Sequence, residues 1–134
     1  MIKTIVLPGV AAMSLAICLV AQTEAEYPGL MKDIGATKGK ITKGIAAKQL
    51  AEVATDAAHL AEVYKKVGAF WTSRKAEDAV TLSKTGETAA TELAAAAKAG
   101  DEAKMQTSLQ AINGTCGACH KAHREGSPGN FTIK

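Results

Sequence analysis

From Leu50 to Trp71 the large apolar residues and one alanine recur at spacings of three and four: Leu50, Val53, Ala57, Leu60, Tyr64, Val67, Trp71. Only a period near 3.6 brings such a set onto one face, so the segment is a helix that must bury that face. Glu52, Asp56, Glu62 and Lys66 fall off the stripe and are left for solvent. At about six turns the helix cannot bury its own stripe, so it needs partner helices of similar length.

Three further segments supply them. Residues 28–46 carry Leu30, Met31, Ile34, Ile41 and Ile45, with Pro28 placed for a first turn. Residues 75–99 give a narrow stripe of Leu82, Ala89, Leu93 and Ala96, weakened by Gly86. In the last segment Met105, Leu109, Ile112, Cys116, Cys119 and His123 share one seam. The expected breaks are Gly44–Lys48, a longer connection through "GAFWTSRKAED", and a turn at Gly100 with Asp101 capping the next helix. Past Glu125, "GSPGNFTIK" reads as a tail. Short links between neighbours predict an all-α, antiparallel, up-down-up-down four-helix bundle.

The chain begins with a basic start at Lys3, an apolar run from Ile5 to Val20, and small residues at Thr23 and Ala25. That is the layout of a secretory signal peptide, too short in its apolar core to span a bilayer comfortably. The expected division is a signal over residues 1–25, which takes Cys18 with it, and one bundle domain over residues 26–134. Such a chain is exported, with a periplasmic location and no membrane attachment after cleavage. The net charge of +3 is spread along the sequence, with few aromatics, which argues against nucleic acid as a partner.

A core built on these seams is thin, because Ala and Gly dominate and the chain holds one Trp, two Tyr and two Phe. The missing apolar bulk directs attention to "CGACH" at residues 116–120. Cys-x-x-Cys-His is the attachment motif for c-type haem. Two cysteines three apart on a helix project from one face and suit thioethers to one porphyrin edge; the following His120 supplies an imidazole to the iron. A zinc site wants four protein ligands, typically as two separated pairs, and no second pair exists here. A thioredoxin-like redox motif would need a βαβ setting, which is absent. The expected cofactor is one haem c, held covalently through Cys116 and Cys119 with His120 as the proximal ligand.

The opposite face of the iron is less determined. Met105 lies fifteen residues before His120 on the same helix, about 22 Å along its axis, and cannot reach it. His123 is one turn past His120 and shares the proximal side, and His59 falls off the apolar stripe toward water. Met31 remains, on helix one. It is either a core side chain or the distal ligand.

The arrangement resembles the class II cytochromes c, the cytochromes c prime and their low-spin, Met-ligated relatives, over about residues 27–125. The resemblance rests on "GTCGACHKAHR", "AAAAKAGDEAKM", "FW" at the expected start of helix three, and "GLMKDIG" in helix one. It implies a four-helix bundle with haem carried on helix four. It also implies thioethers at Cys116 and Cys119, His120 as proximal ligand, Arg124 as the basic residue following the His, and Trp71 as a helix-three aromatic near the haem. Met31 falls at the family's distal position, which places the chain closer to the low-spin, Met/His-ligated members. His123 departs from the Phe or Tyr usual before the Arg, and the first interhelix loop is short.

Two haem functions follow, and one without haem. The first is a periplasmic one-electron carrier with Met31 as distal ligand, serving redox partner proteins. The alternative is a five-coordinate protein that binds nitric oxide or carbon monoxide, with Met31 as wall and Arg124 near the proximal face, where it either handles the displaced side or forms a salt bridge to a haem propionate. The third is an exported helical module with one Cys116–Cys119 disulfide, against which the thin core argues. Homodimerisation through helix one is common among relatives of this kind, and no residue here establishes it. No hydrolytic constellation or distal acid–base pair is visible, so no catalytic residue is assigned and no enzyme is expected.

Overall fold

The computed structural model describes residues 23–134; Cys18 and nearly all of the expected signal segment lie outside them. Four helices follow one another: α1 (Tyr27–Ala46), α2 (Leu50–Ser73), α3 (Glu77–Ala99) and α4 (Glu102–His123). A two-stranded hairpin, β1 (Arg124–Ser127) and β2 (Asn130–Ile133), closes the chain. The helices alternate in direction, so the start of α1 and the end of α2 share one end of the bundle with the start of α3 and the end of α4. None of the helices among these residues is long and apolar enough to cross a membrane.

The expected stripe of α2 is buried as read, from Val53 through Ala57, Leu60, Tyr64 and Val67 to Trp71, with Leu50 half-buried at its start. The bundle's deepest side chains include Trp71, Phe70, Leu60, Ile41, Leu93, Met105 and Ile112. Each contributes about 1.5–3 kcal/mol by leaving water. Apart from Leu93, helix α3 answers with small residues, Ala79, Ser83, Gly86, Ala90 and Ala97, so α2 and α3 approach closely instead of leaving a void. Gly86 is essential to that approach: a Cβ there would come within 2.5 Å of the Tyr64 ring. The glycine that weakens the α3 pattern in the sequence is therefore the seat of the largest side chain facing it.

Four expectations need correction. The "FW" pair does not open helix three; Phe70 and Trp71 lie in the last turn of α2. The 3-4 rhythm carries the helix on until Arg74–Ala76, where Lys75 adopts a left-handed φ of 57°, so the second connection is only three residues long. The segment after Glu125 is no open tail. It pairs in antiparallel register, Arg124 opposite Ile133 and Ser127 opposite Asn130, with Gly126 and Gly129 at positive φ around the turn. On α4 the deep positions are Met105, Ser108, Ile112 and Thr115, whereas Leu109, Cys116, Cys119 and His123 are half-buried. The cysteines thus border the core instead of filling it.

The expected stop and start at Gly100 and Asp101 hold. Gly100 takes the left-handed conformation with φ 69°, and the Asp101 side chain accepts a 3.0 Å hydrogen bond from the Lys104 N–H.

The close α2–α3 contact gives glycine substitutions opposite signs. Gly86→Ala should destabilise by about 1–3 kcal/mol through overpacking against Tyr64, despite the better helix propensity of Ala. Gly114→Ala, where an added Cβ meets nothing within 4 Å, should stabilise by up to about 1 kcal/mol. Urea denaturation followed by far-ultraviolet circular dichroism reads both.

Candidate functional site

Helix α1 presents two lines of side chains. Tyr27, Leu30, Ile34, Thr37, Ile41 and Gly44 are buried, whereas Met31, Lys38 and Ile45 are half-buried. The second line repeats every seven residues, two turns, and so shares one face. Lys38 shows where that face looks: its Nζ lies 3.9 Å from Cys116 Sγ on α4. Helix α1 packs on α2, α2 on α3 and α3 on α4, but α1 and α4 do not pack on each other in the same way. Met31 and Lys38 therefore face the Cys116–His120 turns across a looser seam, a slot between two backbones that do not approach closely.

The Lys38–Cys116 contact also sets the level. The two helices run antiparallel, so seven residues back from Lys38 is Met31, and seven on from Cys116 is His123. Met31 therefore lies at the height of the last turns of α4. Its side chain packs against the core cluster.

Cys116 is held from the side of α2 as well. The Tyr64 hydroxyl, standing on its ring above Gly86, is 3.4 Å from Cys116 Sγ. Burial first, and the adjacent Cys116 second, push the Tyr64 phenol well above its ordinary range. It stays protonated and can donate to a sulfur. Cys119 also has its thiol pushed up, by burial first, then by the negative charge of Asp78 and by Cys116. His120 is pushed down, chiefly by burial and secondly by the positive charges of Arg124 and Lys38. A neutral imidazole is the form that can ligate iron.

The far end of the slot is closed by a chain of contacts that touches all four helices. Trp71 donates from Nε1 to the Tyr27 hydroxyl at 3.0 Å. Burial first, and the nearby Cys119 second, raise the Tyr27 hydroxyl to about 12. The Trp71 ring also lies 4.7 Å, centre to centre, from the His123 imidazole, and His123 Nε2 is 2.7 Å from Asp78 Oδ2. With 17% of its side chain exposed, His123 is a packed residue and not a surface one. His59 lies in the open on α2 and meets both Asp33 oxygens at 3.0 Å, outside the slot as the sequence suggests.

The expected residues accordingly divide. Cys116, Cys119, His120 and Met31 border one slot, and Trp71 backs its end from α2 rather than from α3. Arg124 sits at the start of β1, with its guanidinium 4.0 Å from the centre of the Phe131 ring. Sequence reasoning missed Tyr64, Lys38 and Asp78. The signal for Tyr64 was present, because a phenol on a buried stripe requires a polar partner that Phe would not. Lys38 and Asp78 carry no such mark in the sequence.

The donor set fits a c-type haem. Cys116 and Cys119 are free thiols three residues apart on one helix, and His120 follows them at the edge of the seam between α1 and α4. Among the described residues no three His, Cys, Asp or Glu side chains converge as a metal cluster would require, so the donors of a zinc site are not assembled. The residues that would hold haem are Cys116 and Cys119 by thioethers and His120 by its imidazole.

The comparisons with known proteins agree with that donor set. The family model described as Cytochrome C′ matches residues 22–124. A cytochrome c′ of Rhodospirillum rubrum is 56% identical over 39 residues, which are 29% of this chain and 26% of the relative. The match thus spans about a quarter of that protein's length. No solved structure matches the chain.

The Asp33–His59 and Asp78–His123 pairs predict an acid limb in stability. Asp33 and Asp78 are held below the ordinary carboxyl value of 3.8, each chiefly by its hydrogen bond to a histidine. A depressed carboxyl contributes stability above its unfolded pKa and loses it as pH falls through the folded one. The urea midpoint should therefore drop below pH 3.8, and less steeply in Asp78→Asn than in the unaltered protein. A titration of the midpoint against pH measures this.

Proposed function

This chain belongs to the cytochrome c′ family, and on that premise we propose that it is a periplasmic protein with one haem c that binds a diatomic gas, nitric oxide or carbon monoxide. The haem is attached through Cys116 and Cys119 and ligated by His120. Met31 is the wall of the distal side. Bound there, haem would supply a redox-active iron able to take up the gas. The protein's own residues supply its surroundings. His120 stays neutral through burial and the flanking cations, Tyr64 holds the Cys116 sulfur, and Met31 and Trp71 keep the slot apolar.

The single observation that carries this reading is the placement of Met31. It belongs to a half-buried line of α1, packed against the core cluster, as a wall residue is. The family description favours the same reading over a carrier. The electron-carrier alternative keeps one specific support: Met31 is level with the last turns of α4, within reach in height of whatever His120 holds. In that case Met31 is the sixth ligand, the site serves redox partner proteins, and gas binding must displace a thioether sulfur.

Spectroscopy separates the two. The ferric protein should show a high-spin spectrum without the weak near-infrared band of sulfur-to-iron charge transfer, and the ferrous protein should bind carbon monoxide readily. Met31→Ala should leave the ferric spectrum nearly unchanged. A near-infrared band that vanishes in Met31→Ala would reverse the assignment in favour of the carrier. Cys116→Ala and Cys119→Ala together should abolish haem that survives denaturing electrophoresis.

A further inference from the structure

The family match ends at residue 124, and the hairpin that follows is anchored to the functional end of α4 by three contacts. The Lys134 N–H donates to the His123 carbonyl at 3.1 Å. Ile133 packs against the core cluster. Across the sheet, Arg124 pairs with Ile133 and Gly126 with Phe131, and the Arg124 guanidinium lies 4.0 Å from the centre of the Phe131 ring.

Arg124 is in turn tied to the ligand helix. Its backbone N–H donates to the carbonyl of His120 as the cap of α4, one turn from the imidazole that would hold iron. Among the described residues no carboxylate lies within ion-pair distance of the Arg124 guanidinium; the seven ion pairs involve other residues. Among these residues no side chain neutralises its charge. What fixes its position is an aromatic face, worth about 0.5–1 kcal/mol at an exposed site. Phe131 is 46% exposed, an arrangement that costs solvation and that packing does not explain.

We propose that Phe131 is a positioning residue for the haem site: by holding the Arg124 guanidinium against the hairpin, it fixes a positive charge beside His120. A fixed cation near the iron favours the reduced, less positive state. A guanidinium released into water is screened and loses most of that influence. The inference rests on His120 being the iron ligand, and it holds for either occupant of the distal side.

The test is a cycle of variants in the haem-loaded protein, read by the midpoint potential and by the proton chemical shifts of the Arg124 side chain. The unaltered protein should show Arg124 δ-protons moved upfield by the Phe131 ring. Phe131→Ala should abolish that shift and lower the potential in the same direction as Arg124→Gln, by less than the full loss of the charge. Phe131→Trp should restore both readings. The double variant should fall no further than Arg124→Gln alone, because both act through one charge. Phe131 is exposed, so the variants should fold, and unchanged far-ultraviolet circular dichroism verifies it. A potential that ignores Phe131→Ala while responding to Arg124→Gln overturns the proposal, as does a double variant that falls by the sum of the two. Absence of covalent haem in the unaltered protein would instead overturn the reading of the site itself. A loaded protein whose potential ignores Phe131 overturns only the inference.

Discussion

The contact on which most else depends is the one between the Trp71 and His123 rings. Trp71 ends the main stripe of α2, and through its indole N–H it fixes Tyr27 at the first residue of α1. His123 ends α4 and through its imidazole holds Asp78 at the start of α3. One aromatic contact therefore joins four helix ends. The turns that carry Cys119 and His120 lie immediately before His123 on the same helix. Along its length α4 is held by α3 and borders a looser seam only toward α1, so on that side its position is set here, at its end.

This arrangement accounts for the thin core. Alanine and glycine on α3 serve the α2–α3 contact, where small residues bring two backbones together and leave no void. The absent bulk is on the other side, between α1 and α4, where half-buried Met31, Lys38 and Cys116 line a slot instead of meeting as a packed interface. Space in a bundle can be withheld from one interface and concentrated in another, and this sequence does both with the same residue types.

Much of this was legible from the residues. The 3-4 spacing of α2 gave its helix and its buried face, Gly100 and Asp101 gave the α3–α4 turn, and "CGACH" gave the donor chemistry. The misreadings share a cause, which is that neighbours through space decided the outcome. Phe70 and Trp71 were drawn toward helix three by resemblance, although the rhythm of α2 already included Trp71. The hairpin was invisible because its strands are four residues each, mostly polar and exposed. Only Phe131 and Ile133 hint at alternation, and the pairing depends on contacts back to α4. Tyr64 reads as ordinary core until Gly86 places its hydroxyl beside a sulfur. A pattern within one helix reports burial but not which polar atom lies opposite.

The half-buried line of α1 also bears on how such a protein can change over time. Met31 and Lys38 face the slot, yet neither belongs to the fully buried set that holds α1 to α2. Exchanging them alters what surrounds the iron at little expense to folding, whereas Ile34 or Ile41, one turn away, has no such freedom. The scaffold separates the residues that keep it folded from those that give it a chemistry. That separation leaves the lining of the slot open to change while the bundle around it stays the same.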